Sequence, residues 1–157
     1  MANTQVDTLL FLLDQCYNRP AWHGPNLNAS IRGVGAKQAG WRPQPGRHSI
    51  AEQAVHAAYW KYVVRRRLRG EKRGSFPLEG SNWFLLPDKL TERAWNDYQQ
   101  LLAEQHTLLR QAVAGLGGGR RTALTKDQLR RISGIAAHDV YHAGQIRLLR
   151  ALYEGRA

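Results

Sequence analysis

The chain has 157 residues, with 23 Lys and Arg against 12 Asp and Glu, six His, one Cys and a formal net charge of +11. Its length suits one domain over 1–157, and its 43% hydrophobic content is too high for a disordered polyelectrolyte. One Cys excludes an internal disulfide and a Cys-based zinc site.

Helical periodicity marks four segments. The first runs from about Thr4 to Tyr17, with Val6, Leu9, Leu10, Leu13 and Tyr17 at helical spacing. Its apolar run from Leu9 to Leu13 is far shorter than a bilayer span, and no basic region precedes it. The expectation is a soluble, cytoplasmic protein without a signal peptide or a membrane partner. From Asn18 to His48 the chain is long for a plain loop, and Leu27, Ile31 and Val34 predict a short helix within it.

The second segment opens after Pro43, Pro45 and Gly46 at a capping box, Ser49-x-x-Glu52, and should run to about Arg69 and stop at Gly70. The connection from Gly70 to Pro87 carries Phe76, Trp83, Phe84 and Leu85, which are expected to fold back over a core or pocket. The third segment starts near Asp88 or Thr91 and runs to Val113, with Gly115 as its end. Trp95, Tyr98, Leu102, Leu109 and Ala112 form its stripe. The fourth opens at a second capping box, Thr125-x-x-Gln128, and runs to about Tyr153. Four amphipathic helices with no alternating strand pattern predict an all-α four-helix bundle with long first and second connections.

The positive charge concentrates in Arg65, Arg66, Arg67, Arg69, Lys72 and Arg73, with Arg120–Arg121 and Arg130–Arg131 as smaller pairs. A solvated helix end accounts for such a cluster, because cations complement the C-terminal dipole. An anion-binding surface accounts for it too. No recognition-helix, RNP or zinc-finger pattern accompanies it, so a nucleic-acid partner rests on charge alone.

The residues that carry chemistry are His138 and His142. Four apart on one helix, they project from the same face as Ile135, Ile146 and Leu149, toward the interior of the bundle. Two buried imidazoles need partners, and a divalent cation supplies one to each. The pair is similar to the HExxH motif of zinc proteases, but Asp139 stands where the general-base Glu belongs. Only Glu154 follows as a carboxylate, so that chemistry is not expected. A third ligand must come from upstream. His56, on the second helix with Tyr59, Trp60 and Val63, is the strongest candidate. Three His would leave an open coordination position, as in reactive sites. The same spacing also suits three core histidines satisfied without an ion. His23, His48 and His106 read as capping or solvent-facing residues, with His23 the first to be moved to a pocket wall.

Three stretches carry a family resemblance over almost the whole chain. They are Ala21-Trp22-His23-Gly24-Pro25, then Gly46-Arg47-His48-Ser49-Ile50 leading to His56 and Trp60, and His138-Asp139-x-x-His142-Ala143-Gly144-Gln145-Ile146. In these the chain resembles the DinB/YfiT-like family of bacterial four-helix-bundle proteins. The resemblance implies a metal-dependent protein whose ligands are His56, His138 and His142, and a homodimer. Zinc or nickel is the implied ion, and His ligands also suit iron, manganese and copper. Some relatives are thiol S-transferases, so the resemblance implies a metal-dependent transferase or hydrolase acting on a small molecule such as a low-molecular-weight thiol. The alternative is a non-catalytic DNA-damage or stress-response protein that binds nucleic acid or another anion through its basic surface. Asp139 is expected to orient a ligand imidazole, and Trp60, Trp83, Tyr141 and His23 to wall the pocket.

Overall fold

The computed structural model of the chain describes residues 4–72, 74, 76–118 and 123–155. Among them there is no strand, and the architecture is an all-α bundle. Its elements are α1 (Thr4–Tyr17), α2 (Leu27–Ile31), α3 (Ala36–Gly40), α4 (Ile50–Leu68), α5 (Glu92–Gly115) and α6 (Lys126–Glu154). The four long helices make the bundle, with α1 and α4 each packed against both α5 and α6.

Helix starts follow the capping chemistry. Ser49 accepts from the Glu52 backbone N–H while the Glu52 carboxylate accepts from that of Ser49, and Thr125 and Gln128 repeat the arrangement. Thr91 caps α5, so that helix begins at Glu92 and the earlier start at Asp88 is not used. Gly115 ends α5 as its last residue, two beyond Val113, and a 3-10 turn, Leu116–Gly118, follows. Gly70 closes α4 in the left-handed region (φ +65°), where a side chain would strain the backbone.

The long first connection holds two short helices where periodicity indicated one. Ala36 and Ala39 are the buried positions of α3, too few to show a period. The Glu92 carboxylate binds the Ala36 N–H at 2.8 Å, and the Trp95 indole donates to the Val34 carbonyl at 2.7 Å, fixing this connection to α5. In the second connection Phe76 and Phe84 pack on Tyr59 of α4, as expected. Leu85 departs from expectation and is 98% exposed, because neighbouring Phe84 and Leu86 take the inward positions.

Two apolar clusters fill the bundle. One gathers Leu27, Ile50, Val55, Trp95, Leu102 and Ile146. The other gathers Val6, Leu13, Val64, Leu109, Val113 and Ile132. Between the stretches of α4, α5 and α6 that feed these clusters lies a polar layer. Lys61 and Asp139 are both fully buried and form a direct ion pair between α4 and α6. The Lys61 ammonium also lies 3.4 Å from Nδ1 of His106 on α5 and 5.0 Å from the ring centre of Tyr17 on α1. His106 stacks on Tyr17 at 3.9 Å. His106 is therefore a core residue and not the solvent-facing histidine its position at the edge of the α5 stripe indicated. Burial, then the positive charges of Lys61 and Arg110, lower its pKa to about 3.

Removing one partner of a buried ion pair leaves a desolvated charge. Lys61→Met is accordingly expected to cost about 3–5 kcal/mol in urea denaturation, and adding Asp139→Leu to restore most of it. A small single-variant loss with no recovery would show that the pair is not desolvated. His106 adds a pH dependence. It stays neutral when folded and titrates near 6.5 when unfolded, so its stability is present above pH 6.5 and is lost as pH falls toward 3. The stability advantage of wild type over His106→Phe should shrink by roughly 1.4 kcal/mol per pH unit across that window. Parallel stability–pH curves for the two proteins would contradict the assignment.

Candidate metal centre

His56 on α4 and His138 and His142 on α6 meet in the bundle interior, their ligand atoms all within 4.8 Å of one another. Nε2 of His138 lies 3.1 Å from Nε2 of His56 and 3.0 Å from Nε2 of His142. The far sides of two rings are tied down. Nδ1 of His56 is 2.8 Å from the carbonyl oxygen of Asn82, which only accepts, so this nitrogen carries the proton. Nδ1 of His142 is bonded to the side-chain oxygen of Gln53, one turn before His56 on α4. With both protons on Nδ1, the Nε2 lone pairs of these rings point at the common centre.

Neutral His138 can donate its Nε2 proton to only one of these two lone pairs, so some repulsion among the nitrogens remains unless a cation sits between them. Burial lowers the pKa of all three imidazoles, that of His138 to about 4 and that of His142 to about 3. Neighbouring imidazoles lower those of His138 and His142 further, so protonation does not relieve the repulsion at neutral pH. A divalent ion does. Nitrogens about 2.0–2.1 Å from a tetrahedral cation stand about 3.3 Å apart, near the two distances to His138, while the three ligand atoms lie within 4.8 Å of one another. The donor set fits a borderline cation such as zinc or nickel.

Trp83 of the second connection covers one side of this centre. Trp83 is stacked between His56, at 3.9 Å and 11°, and His48, at 3.5 Å and 4°. The Trp60 indole donates to the Asn82 side-chain oxygen at 2.9 Å. Asn82 holds the left-handed conformation (φ +62°), which Asn tolerates better than most residues. Its carbonyl thereby fixes His56 while its side chain fixes Trp60.

The remaining candidates fall in several places. Tyr141 is 62% exposed, with its ring 5.1 Å from that of His142. His23 is exposed beside a fully exposed Trp22, and neither is brought to the three imidazoles. Asp139 lies next to His138 in sequence but turns to Lys61, away from any ligand ring. The basic cluster is divided. Arg65 and Arg66 lie over the Tyr62 ring, Arg69 pairs with Glu71 at 2.7 Å, Arg67 and Lys72 are exposed, and Arg73 lies outside the described residues.

Two partners of the imidazoles were not foreseen. Gln53 was legible in principle, as a polar residue on the buried face of α4 three positions before His56. Asn82 acts through its backbone carbonyl, which carries no side-chain signature.

A buried three-imidazole centre in an all-α bundle defines a class of metal-binding helical proteins. A family model of the DinB superfamily matches residues 21–146, and the chain belongs to that superfamily. No curated protein and no solved structure matches it. Family membership and the three-His cluster together fit a metal-binding protein.

Gln53→Met keeps the side-chain length but removes the acceptor for His142. It is expected to weaken divalent-ion binding roughly 10- to 100-fold in competition with a chromophoric chelator, with far-UV circular dichroism unchanged. Unaltered affinity would show that the amide does not set the ring.

Proposed function

We propose that the protein is a metal-dependent enzyme, in which His56, His138 and His142 hold one divalent cation and a small-molecule thiol is the nucleophile in an S-transfer reaction. The observation that supports this reading is the convergence of three Nε2 atoms, two of which, on His56 and His142, have their lone pairs freed by acceptors at Nδ1. Three uncharged ligands leave a bound cation its full charge and an open position, so it would acidify a thiol or a water placed against it.

The residues around the centre favour a thiol over water. Among the described residues no carboxylate joins the cluster: Asp139 is committed to Lys61 and Glu52 to Arg42, at 3.0 Å through two bonds. Hydrolysis would lack a carboxylate base. A thiol, with an ordinary pKa near 8.5, needs far less assistance than water. The sulfur would come from the substrate, since Cys16 is buried on α1 and burial pushes its thiol up to about 11. Gln53 and Asn82 hold the rings, and Trp83 covers one face of His56 against water. Assembly as a homodimer and a cytoplasmic location belong to the same proposal. No helix among the described residues is long and apolar enough to cross a membrane. Among the described residues the basic run at the end of α4 is divided, with Arg65 and Arg66 over Tyr62 and Arg69 paired with Glu71.

Elemental analysis of tag-free protein is expected to give about one divalent ion per chain, lost in His138→Ala without loss of helicity. The loaded wild type should consume low-molecular-weight thiols in the presence of a soft carbon electrophile, and His138→Ala should not. Wild-type protein that takes up no divalent ion after loading would overturn the proposal. Loaded protein that cleaves ester or amide substrates while leaving thiols untouched would replace transfer by hydrolysis.

A further inference from the structure

A cavity of about 290 Å³ opens between α4 and α6, and the metal-ligand candidate His138 is part of its wall. Its sides are apolar, formed by Trp60, Val64 and Ile135. Gly134, one turn before His138, also lines it, and a Cβ added there would meet nothing within 4 Å. Glycine inside a helix costs roughly 0.5–1 kcal/mol relative to alanine, yet here it leaves open space against the imidazole-bearing turn.

Three cations complete the lining. Arg67 comes from α4 and Arg130 and Arg131 from α6. Asp127 pairs with Arg131 at 2.6 Å and more distantly with Arg130 at 3.5 Å. Arg67 has no acidic partner among the described residues, in contrast to Arg69 of the same cluster, which is held by Glu71. A larger cavity of about 570 Å³ lies beside Gln53 and His48, but none of the three imidazoles lines it and Arg47 is its one cation.

We infer that the cavity between α4 and α6 receives the tail of the substrate, and that this tail is a short apolar stem ending in a carboxylate. The inference rests on the thiol-transfer reading above and narrows its substrate class to carboxylate-bearing thiols. The stem lies against Trp60, Val64 and Ile135, the carboxylate meets Arg67 with help from Arg130, whose pairing with Asp127 is the looser one, and the sulfur reaches the three-His centre past His138. The volume accommodates a stem of several carbons. Arginine suits a carboxylate because its planar fork donates two parallel bonds.

The test uses zinc-loaded, tag-free protein and a homologous series of ω-mercaptocarboxylates, titrated calorimetrically against ω-mercaptoalcohols of equal length. At low salt the best-fitting acid should bind about 10-fold more tightly than its alcohol, and the preference should shrink as salt rises. Arg67→Gln is expected to narrow the preference to about 2-fold. Gly134→Leu, placed where an added Cβ meets nothing within 4 Å, should weaken binding of the acid while zinc content stays at one per chain. Equal affinities for acids and alcohols in zinc-replete wild type would overturn the inference and leave the metal–thiol reading standing. Failure to take up zinc, or zinc uptake with no thiol binding in either series, would overturn that reading and the inference with it.

Discussion

The ion pair between Lys61 and Asp139 is the contact on which the rest of the bundle depends. Both groups are fully buried, and each would carry a large desolvation penalty alone. Paired, they fix α4 against α6, and the same ammonium reaches His106 of α5 and faces Tyr17 of α1. Four helices thus share one charge. Apolar packing alone tolerates small rotations and slides of a helix, because many arrangements bury similar area. A desolvated pair does not tolerate them, since a shift of one residue would strand both charges. Asp139 feels the cost directly: burial pushes its pKa up to about 6, and only Lys61 pulls it back.

That constraint also aims the metal centre. His138 precedes Asp139 by one residue, so their side chains leave α6 about 100° apart. Locking Asp139 onto Lys61 turns His138 and His142 toward His56, which lies five residues before Lys61 on the same α4. The ligand imidazoles and the ion pair are therefore two faces of one interhelical register. Gln53 extends it by one more turn, placing its side-chain oxygen on His142. From Gln53 to Lys61, α4 carries the acceptor, the ligand and the cation that define where α6 must sit.

This layering explains what could be read from sequence and what could not. Helices α4 and α6 were legible through their capping boxes, and the three imidazoles through an i, i+4 pair with one upstream partner on an apolar face. Lys61 was not, because a lysine at an inward position reads as part of a solvated face until its counter-ion is known. His106 escaped for the same reason, its burial depending on Tyr17 from a helix ninety residues away in the chain. Asp139 was assigned to the ligand rings by its neighbourhood in sequence, whereas the 100° step along the helix sends it elsewhere. The Trp83 ring and the Asn82 carbonyl lie in an irregular connection, where backbone conformation decides the contacts and periodicity is silent.

The excess of positive charge takes on a different meaning once the arginines are placed. As a run in sequence, Arg65 to Arg73 looks like one patch with one purpose. In the fold the helical step of 100° per residue disperses its described residues: Arg65 and Arg66 lie over Tyr62, Arg69 turns to Glu71, and Arg67 lines the cavity that His138 helps to wall. Long-range potential from the remaining cations still draws anions toward the molecule. Beside α6, Arg67 meets Arg130 and Arg131 from a second helix at the border of an open, apolar-sided hollow. A charge excess that attracts any polyanion in bulk is joined there to apolar surface, and that combination distinguishes a small amphipathic anion from a phosphate backbone, which offers charge alone.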